Sequence, residues 1–476
     1  MSRVEEIFDP TRFRHYGHEL IDLLADYLAA SLARQGKVLD WKAPALEDAQ
    51  WQAPLPRGAT LSPDQLLEKL RTDILPAGLA IHHPRNLGHQ VATPLPMAAL
   101  CDLVAALTNQ AMAVYEAGPA ATLIERQVIR WLAELIGRDH AEGVLTSGGA
   151  QANLTALLAA RQQTAGWDIW KEGAAAGPPL CILASEHAHY SVSRAAGIMG
   201  LGVDAVVKVA ADPQGRMEPA ALAASHRQAI ASGARVMAVV ATAGCTPTGS
   251  VDPLAAIGTY CREHGLWLHV DGAHGASALL STRHRDAMRG IGLADSVVWD
   301  GHKLLYMPAP VSAVLFREPK TSYAAFAQEA SYLFQGQSNE EEAYNVGYRT
   351  LECTKRMMGL KLWAAFSLYG TEGLGELVDK VFASARLLAD KLQAAPDFEL
   401  LMPPQTNIVC FRYRNGDQAA IRKALVESGA FHLTQVNLHG EVWLRTTVMN
   451  PLTAESDLDA LLETIRHDAQ LSSEAC

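Results

Sequence analysis

Cysteine is scarce in this chain and is never arranged for use. The seven cysteines (Cys101, Cys181, Cys245, Cys261, Cys353, Cys410 and Cys476) are odd in number, scattered, and never spaced as a Cys-x-x-Cys pair. That pattern excludes a disulfide framework and a structural zinc site, and it suits a reducing compartment. No concentration of positive charge is present either: 40 Lys and Arg face 51 Asp and Glu, a net charge of −11, without a long basic run. A nucleic-acid or anionic-membrane surface is therefore not expected. The longest uncharged stretch, residues 143–160, is broken by Thr146, Ser147, Gly148, Gly149, Gln151 and Asn153, so no segment is expected to span a membrane. The first ten residues carry Glu5, Glu6 and Asp9 where an export signal would be basic and then apolar. No export signal is read there, and the expected location is the cytoplasm. HExxH and paired metal-ligand spacings are also missing, and His82 and His83 have no matching second pair, so no metal is expected.

What is present is a chain of 476 residues, 49% apolar and only 19% charged, enough for a large globular domain with smaller ones beside it. Residues 13–30 place Phe13, Tyr16, Leu20, Leu23, Leu24, Tyr27 and Leu28 at spacings of three and four, one amphipathic helix. Ser62-Pro63-Asp64 starts a second, with proline in its first turn. This region, 1–82, lacks a core of its own, so its apolar face needs a partner, either the rest of the chain or a second subunit.

From residue 83 the pattern becomes short β-branched runs alternating with helical ones. Strands are predicted at 143–146, 180–184, 204–208, 236–241, 267–270, 295–299 and 311–316, with helices at 120–137, 151–163, 218–232 and 253–264. Such alternation predicts an α/β fold with an open, mostly parallel sheet covered by helices on both faces, binding its ligand at the carboxyl ends of the strands. A large domain over 83–355 and a small α+β domain over 356–476 are expected. The small domain is predicted to hold helices at 356–370, 375–394 and 416–428 and strands at 406–411 and 442–446.

Three strand ends carry chemistry. Thr146-Ser147-Gly148-Gly149-Ala150-Gln151-Ala152-Asn153 leaves a strand and opens a helix, where backbone N–H groups and the helix dipole can cradle a phosphate; alone it is equally a tight turn. Asp271, just past the strand in Trp267-Leu268-His269-Val270-Asp271, is costly to bury unless it meets a cation or strong donor, and alone it reads as a cap or a metal ligand. Lys303 follows the strand ending in Trp299-Asp300-Gly301-His302, and a lysine desolvated at a sheet mouth is freed to form a Schiff base, although most lysines are solvated surface charges. Together, a phosphate cradle, an acid and a lysine on one sheet are the three contacts that pyridoxal phosphate requires.

The motifs TSGGAQANL (146–154), SEHAHYSVSRAA (185–196), AGCTPTGSVDPL (243–254), WLHVDGAHG (267–275) and ADSVVWDGHK (294–303) make the chain resemble the group II pyridoxal-phosphate-dependent amino-acid decarboxylases. That family uses the aspartate-aminotransferase type of fold (fold type I) and includes aromatic, glutamate, cysteine-sulfinate and 2,4-diaminobutyrate decarboxylases. The likeness runs from FRHYGHELIDLLADYL (13–28) to WLRTTVMNP (443–451). It implies that Lys303 carries the internal aldimine, that Asp271 pairs with the protonated ring nitrogen, and that His189 and Ala273 cover the two ring faces. Gly149, Ala150 and His302 would hold the phosphate, with Thr246 and Asp300 in the cofactor-binding set. Two departures stand out: Cys245 where relatives mostly have threonine, and Ala150 where they have serine.

The resemblance further implies that Tyr332, in ASYLFQGQSNEEEAYN, lies on a closing loop and protonates Cα, which disfavours the aldehyde-forming reaction of relatives with phenylalanine there. Arg445 would meet the substrate carboxylate, and residues 83–93, His89 among them, would shape specificity with 109–122. The second of these segments is usually donated by the partner of an obligate homodimer. Signals in 83–93 point both to acidic and to diaminobutyrate-type substrates, and a polar pocket is favoured over an aromatic one. The expected activity is decarboxylation of an amino acid with a polar or charged side chain to its amine and CO2. Competing readings are an aromatic amino-acid decarboxylase, a decarboxylating aldehyde synthase or carbon–carbon lyase on the same fold, and a non-catalytic cofactor-binding protein.

Overall fold

The computed structural model describes residues 2–139, 142–326 and 340–474, and Tyr332 lies outside them. The chain divides into two compact units: one comprises residues 1–89, 387–401 and 410–476, the other 90–386 and 402–409.

The larger unit is built on seven strands: β1 (Glu142–Thr146), β2 (Leu180–Ser185), β3 (Val206–Val209), β4 (Arg235–Thr242), β5 (Leu268–Asp271), β6 (Ser296–Asp300) and β7 (Ser312–Phe316). Their order across the sheet is β1-β7-β6-β5-β4-β2-β3. Neighbours pair in parallel from β6 to β3, while β7 runs antiparallel to both β6 and β1. All seven strands predicted from the sequence are found within two residues of their expected ends. One reason is that β2, β5, β6 and β7 are buried at every position, so each reads as a mainly apolar stretch.

The helix Gly149–Thr164 lies across β1, β7, β6, β5 and β4. Its alanines Ala152, Ala156 and Ala159 enter one apolar cluster with Val144, Val298 and Val314. Its opposite side, with Leu154, Leu157 and Ala160, enters a second cluster with Ile182, Ala184 and Val240. A helix apolar on all sides is a buried one, and small side chains let its backbone lie close to the sheet. The helices expected at 356–370 and 375–394 form one run, Gly359–Ala394, broken at Gly370, whose φ of 62° no ordinary helical residue adopts. In the first part of that run Lys361 bonds the carbonyl of Pro308 (2.6 Å) and Asp102 (3.1 Å), which places it with the larger unit rather than with the small domain.

The smaller unit holds a four-stranded sheet in the order β10-β11-β9-β8, from β8 (Phe398–Leu400), β9 (Ile408–Tyr413), β10 (Thr434–Leu438) and β11 (Glu441–Thr447). β10 and β11 meet at His439-Gly440, both at positive φ, the conformation a two-residue hairpin requires. The N-terminal helix Pro10–Leu32 belongs to this unit. The buried Asp457 carboxylate accepts from Arg34 Nη2 (2.6 Å) and Arg85 Nε (3.3 Å). Residues 86–87 also join this unit, because Leu87 donates to the His432 carbonyl (2.8 Å) and accepts from Thr447 N (2.7 Å). The division between the two units falls after His89. No helix among the described residues is long and apolar enough to cross a membrane.

Gly143 lies in β1, where an added Cβ would meet the Val314 carbonyl oxygen at 2.1 Å. Gly143→Ala is expected to destabilise the large unit by about 2 kcal/mol or more, the usual scale of overpacking a buried site, read as a lowered urea midpoint.

Candidate active site

Four strands, β1, β6, β5 and β4, deliver a polar residue to the same end of the large sheet. β1 ends at Thr146 and passes through Ser147-Gly148 into the helix Gly149–Thr164. Gly148 sits at φ 131°, a conformation closed to most side chains, and no side chain caps the helix. The first N–H groups of the helix have no intrahelical acceptor, which makes its start an anion cradle. A Cβ on Gly149 would stand 2.9 Å from the Asp300 carboxylate, so a side chain there would have to displace that carboxylate. The buried Gln151 Nε2 has no partner among the described residues.

β6 ends at Asp300, 2% exposed, whose carboxylate accepts from Ser312 Oγ, lies 3.0 Å from Lys303 Nζ and stands 3.6 Å from His302 Nε2. The turn carrying Lys303 is closed by Tyr306 N donating to the Lys303 carbonyl and by Met307 N donating to that of Gly301. His302 Nδ1 lies 2.8 Å from the Val311 carbonyl, a bond in which the ring is the donor. The lysine is thus met by a carboxylate, not by apolar walls alone.

β5 ends at Asp271, 5% exposed. Its Oδ2 accepts from Asn153 Nδ2 (2.9 Å) and its Oδ1 from Ala273 N (3.2 Å), yet among the described residues it has no ion pair. A buried carboxylate served only by neutral donors is a charge still awaiting a cation. His189 faces the same site: burial lowers its pKa against the opposing pull of Asp271, which keeps the ring neutral. Its Nδ1 is 2.8 Å from Ser191 Oγ.

β4 ends at Thr242, followed by the turn that carries Thr246. Gly244 and Cys245 both donate to the Ser250 carbonyl. Cys245 is buried with its Sγ 3.1 Å from Thr248 Oγ1, so the cysteine is absorbed inside the turn. The structure gathers Gly149, His189, Asp271, Asp300, His302 and Lys303 in the larger unit. His89 and Arg445 belong to the smaller one. There Arg445 is buried on β11 and donates from Nη1 to Thr434 Oγ1 (3.1 Å), while the His89 and His432 rings lie 5.3 Å apart. Burial, reinforced by His89 and Arg422, pushes His432 down to about 4.

Sequence reasoning missed a second layer. His269, fully enclosed one residue pair before Asp271, has its Nε2 2.9 Å from Asn153 Oδ1 and its Nδ1 2.8 Å from Ser296 Oγ. Ser296 in turn accepts from Trp267 Nε1 (3.0 Å). The available signal was a histidine and an asparagine at positions that the surrounding pattern makes apolar. Burial pushes His269 down to about 4, well below its ordinary 6.5. A histidine depressed in the folded state adds stability that is complete above pH 6.5 and lost as pH falls toward 4. Urea unfolding is therefore expected to show stability falling by a few kcal/mol between pH 6.5 and 4, a loss that His432 shares.

Residues 52–414 match the family model described as the pyridoxal-dependent decarboxylase conserved domain. Cysteine sulfinic acid decarboxylase of Mus musculus is 34% identical over 454 residues, 90% of each chain. An acidic amino acid decarboxylase of the same organism, GADL1, is 32% identical over 451 residues, covering 90% of this chain and 81% of its own. Among solved structures, mouse CSAD in apo form superposes with a TM-score of 0.90 at 30% identity, over 97% of this chain and 99% of its own. The decarboxylase domain of a diaminobutyrate enzyme from Vibrio parahaemolyticus gives 0.82 at 28% identity over 95% of each chain.

Proposed function

Because this chain belongs to the pyridoxal-dependent decarboxylase family and is a pyridoxal-phosphate-dependent amino-acid decarboxylase, we propose that it acts on an acidic amino acid and that Lys303, Asp271, His189 and Tyr332 carry the reaction. The residues present fit the cofactor. The uncompensated Asp271 carboxylate suits a protonated ring nitrogen, the neutral His189 a ring face, and the uncapped start at Gly149 a phosphate.

When bound, the cofactor supplies a carbonyl that takes up an amine and a ring that withdraws electrons from Cα as CO2 leaves. Lys303 is the amine that tethers it, with Asp300 holding that side chain at 3.0 Å. Asp271 keeps a proton on the ring nitrogen, without which electron withdrawal fails. His189 and Ala273 would confine the ring when it is bound. The N–H groups of Gly149 and Ala150, with His302 and Thr246, would hold the phosphate. Tyr332 delivers the proton to Cα, so that amine rather than aldehyde leaves.

Arg445 is assigned to the substrate carboxylate, a geometry its planar fork suits, and His89 to the same substrate-binding set. An acidic side chain is favoured by positive charge in the smaller unit, where Arg445 and Arg422 both bear on His89. The names of the relatives point the same way: cysteine sulfinic acid and acidic amino acid decarboxylases at 32–34% identity over 90% of this chain. The working form is a homodimer. The helix Pro96–Thr108 exposes Met97, Leu100, Leu103, Val104 and Leu107, and the N-terminal helix exposes Phe13, Ile21 and Leu24, surfaces that a second copy would cover. The free cysteines among the described residues fit a cytoplasmic setting.

Purified protein with added pyridoxal phosphate, offered cysteine sulfinate, glutamate, aspartate, diaminobutyrate, ornithine, tyrosine, dihydroxyphenylalanine and tryptophan, is expected to yield amine and equimolar CO2 from an acidic member. Turnover of only diaminobutyrate or an aromatic substrate would overturn the substrate assignment. Tyr332→Phe is expected to slow amine release on the order of a hundredfold, the scale of a lost general acid. Amine at the wild-type rate with no aldehyde would remove Tyr332 from that role.

A further inference from the structure

The side chain of Asn153 is 1% exposed and touches three functional elements at once. Its Nδ2 lies 2.9 Å from Asp271 Oδ2 and 2.9 Å from Ser191 Oγ, and its Oδ1 lies 2.9 Å from His269 Nε2. The direction of every bond in this network follows from chemistry. A carboxylate can only accept, so the amide nitrogen, not the oxygen, must face Asp271. The amide oxygen then faces His269, which must carry its proton on Nε2 and accept at Nδ1 from the Ser296 hydroxyl. The lone pairs of Ser296 are left to receive Trp267 Nε1–H. On the other branch, Ser191 takes a hydrogen from Asn153 and gives its own to His189 Nδ1 (2.8 Å), which also lies 3.3 Å from the Ser191 N–H. His189 is thereby the neutral tautomer with its proton on Nε2. A flipped amide would set oxygen against the Asp271 carboxylate and N–H against the His269 N–H, so only one orientation satisfies the buried groups.

We propose that Asn153 is a positioning residue that orients, through a single amide, both the acid facing the ring nitrogen and the histidine on the ring face, and that His269 locks that amide. The inference rests on the roles assigned to Asp271 and His189 above. In physical terms, the ring's nitrogen partner and its stacking partner do not adjust independently, because both hang on the two hydrogens of one Nδ2 group. Buried networks of this kind hold only when every member is satisfied.

The test uses the full-length protein and pyridoxal phosphate itself, with three readings: the dissociation constant by absorbance titration, visible circular dichroism of the bound cofactor, and kcat separated from KM. Asn153→Leu is expected to raise the dissociation constant tenfold or more, to change the dichroism band, and to lower kcat on the order of tenfold with KM within twofold, the usual cost of losing an outer hydrogen bond to a functional side chain. Ser191→Ala cuts only the His189 branch and is expected to change the dichroism band with a smaller effect on affinity. If both variants keep the wild-type constant, band and kcat, the proposal is overturned while the functional reading stands. If the wild-type protein binds no cofactor, the functional reading falls and takes the proposal with it. Should Asn153→Leu fail to fold, Ser191→Ala decides alone: an altered band supports the coupling and an unchanged one overturns it.

Discussion

The large unit is organised around one uncompensated charge. Asp271 is almost fully buried, receives two neutral hydrogen bonds, and has no cation beside it among the described residues. A carboxylate in that state is costly in the protein alone and favourable once a cationic N–H arrives. Much of the surrounding structure keeps the charge where such a partner can reach it. β5 carries it to the sheet edge, the turn at Gly272-Ala273 donates to it, and the helix Gly149–Thr164 crosses beneath five strands to bring Asn153 against it.

A second constraint is steric. The same helix approaches β6 so closely that a Cβ at position 149 would press on the Asp300 carboxylate, and Asp300 in turn holds Lys303. The carboxylate on β6 thus serves two neighbours, fixing how near the anion cradle comes and where the lysine rests. In the smaller unit Asp457 has a comparable part, joining Arg34 of the N-terminal segment to Arg85 of the segment that leads to His89.

How much of this is legible in the sequence depends on the range of the interaction. β2, β5, β6 and β7 were readable because a strand buried on both faces is a local run of apolar residues. Asp271 and Lys303 were readable because each breaks such a run at its end. β10, Thr434–Leu438, was not, since its first four residues alternate between half-buried and exposed and include Thr, Gln and Asn. β8 has only three residues, too few to register as a pattern. The hydrogen-bond network was illegible for a different reason. Asn153, Ser191, His269 and Ser296 lie far apart along the chain, and no local pattern says that a histidine in Trp267-Leu268-His269 and an asparagine one turn into a helix share a bond. The carboxylate beside Lys303 was partly visible in Asp300, three residues earlier, but its contact with Gly149 needed the tertiary packing to be seen.

The alanine-lined helix also acts as a ruler. Gly149, at the uncapped helix start, and Asn153, against the Asp271 carboxylate, are four residues apart on one rigid element, which spaces them by about 6 Å along its axis. The uncapped helix start and the amide that meets Asp271 are therefore set by a single turn of helix rather than by two loops able to drift apart. An inserted residue in that turn would rotate one mark away from the other by about 100°. The spacing of those two groups is in that sense a property of helix pitch, held in register by the strands beneath it.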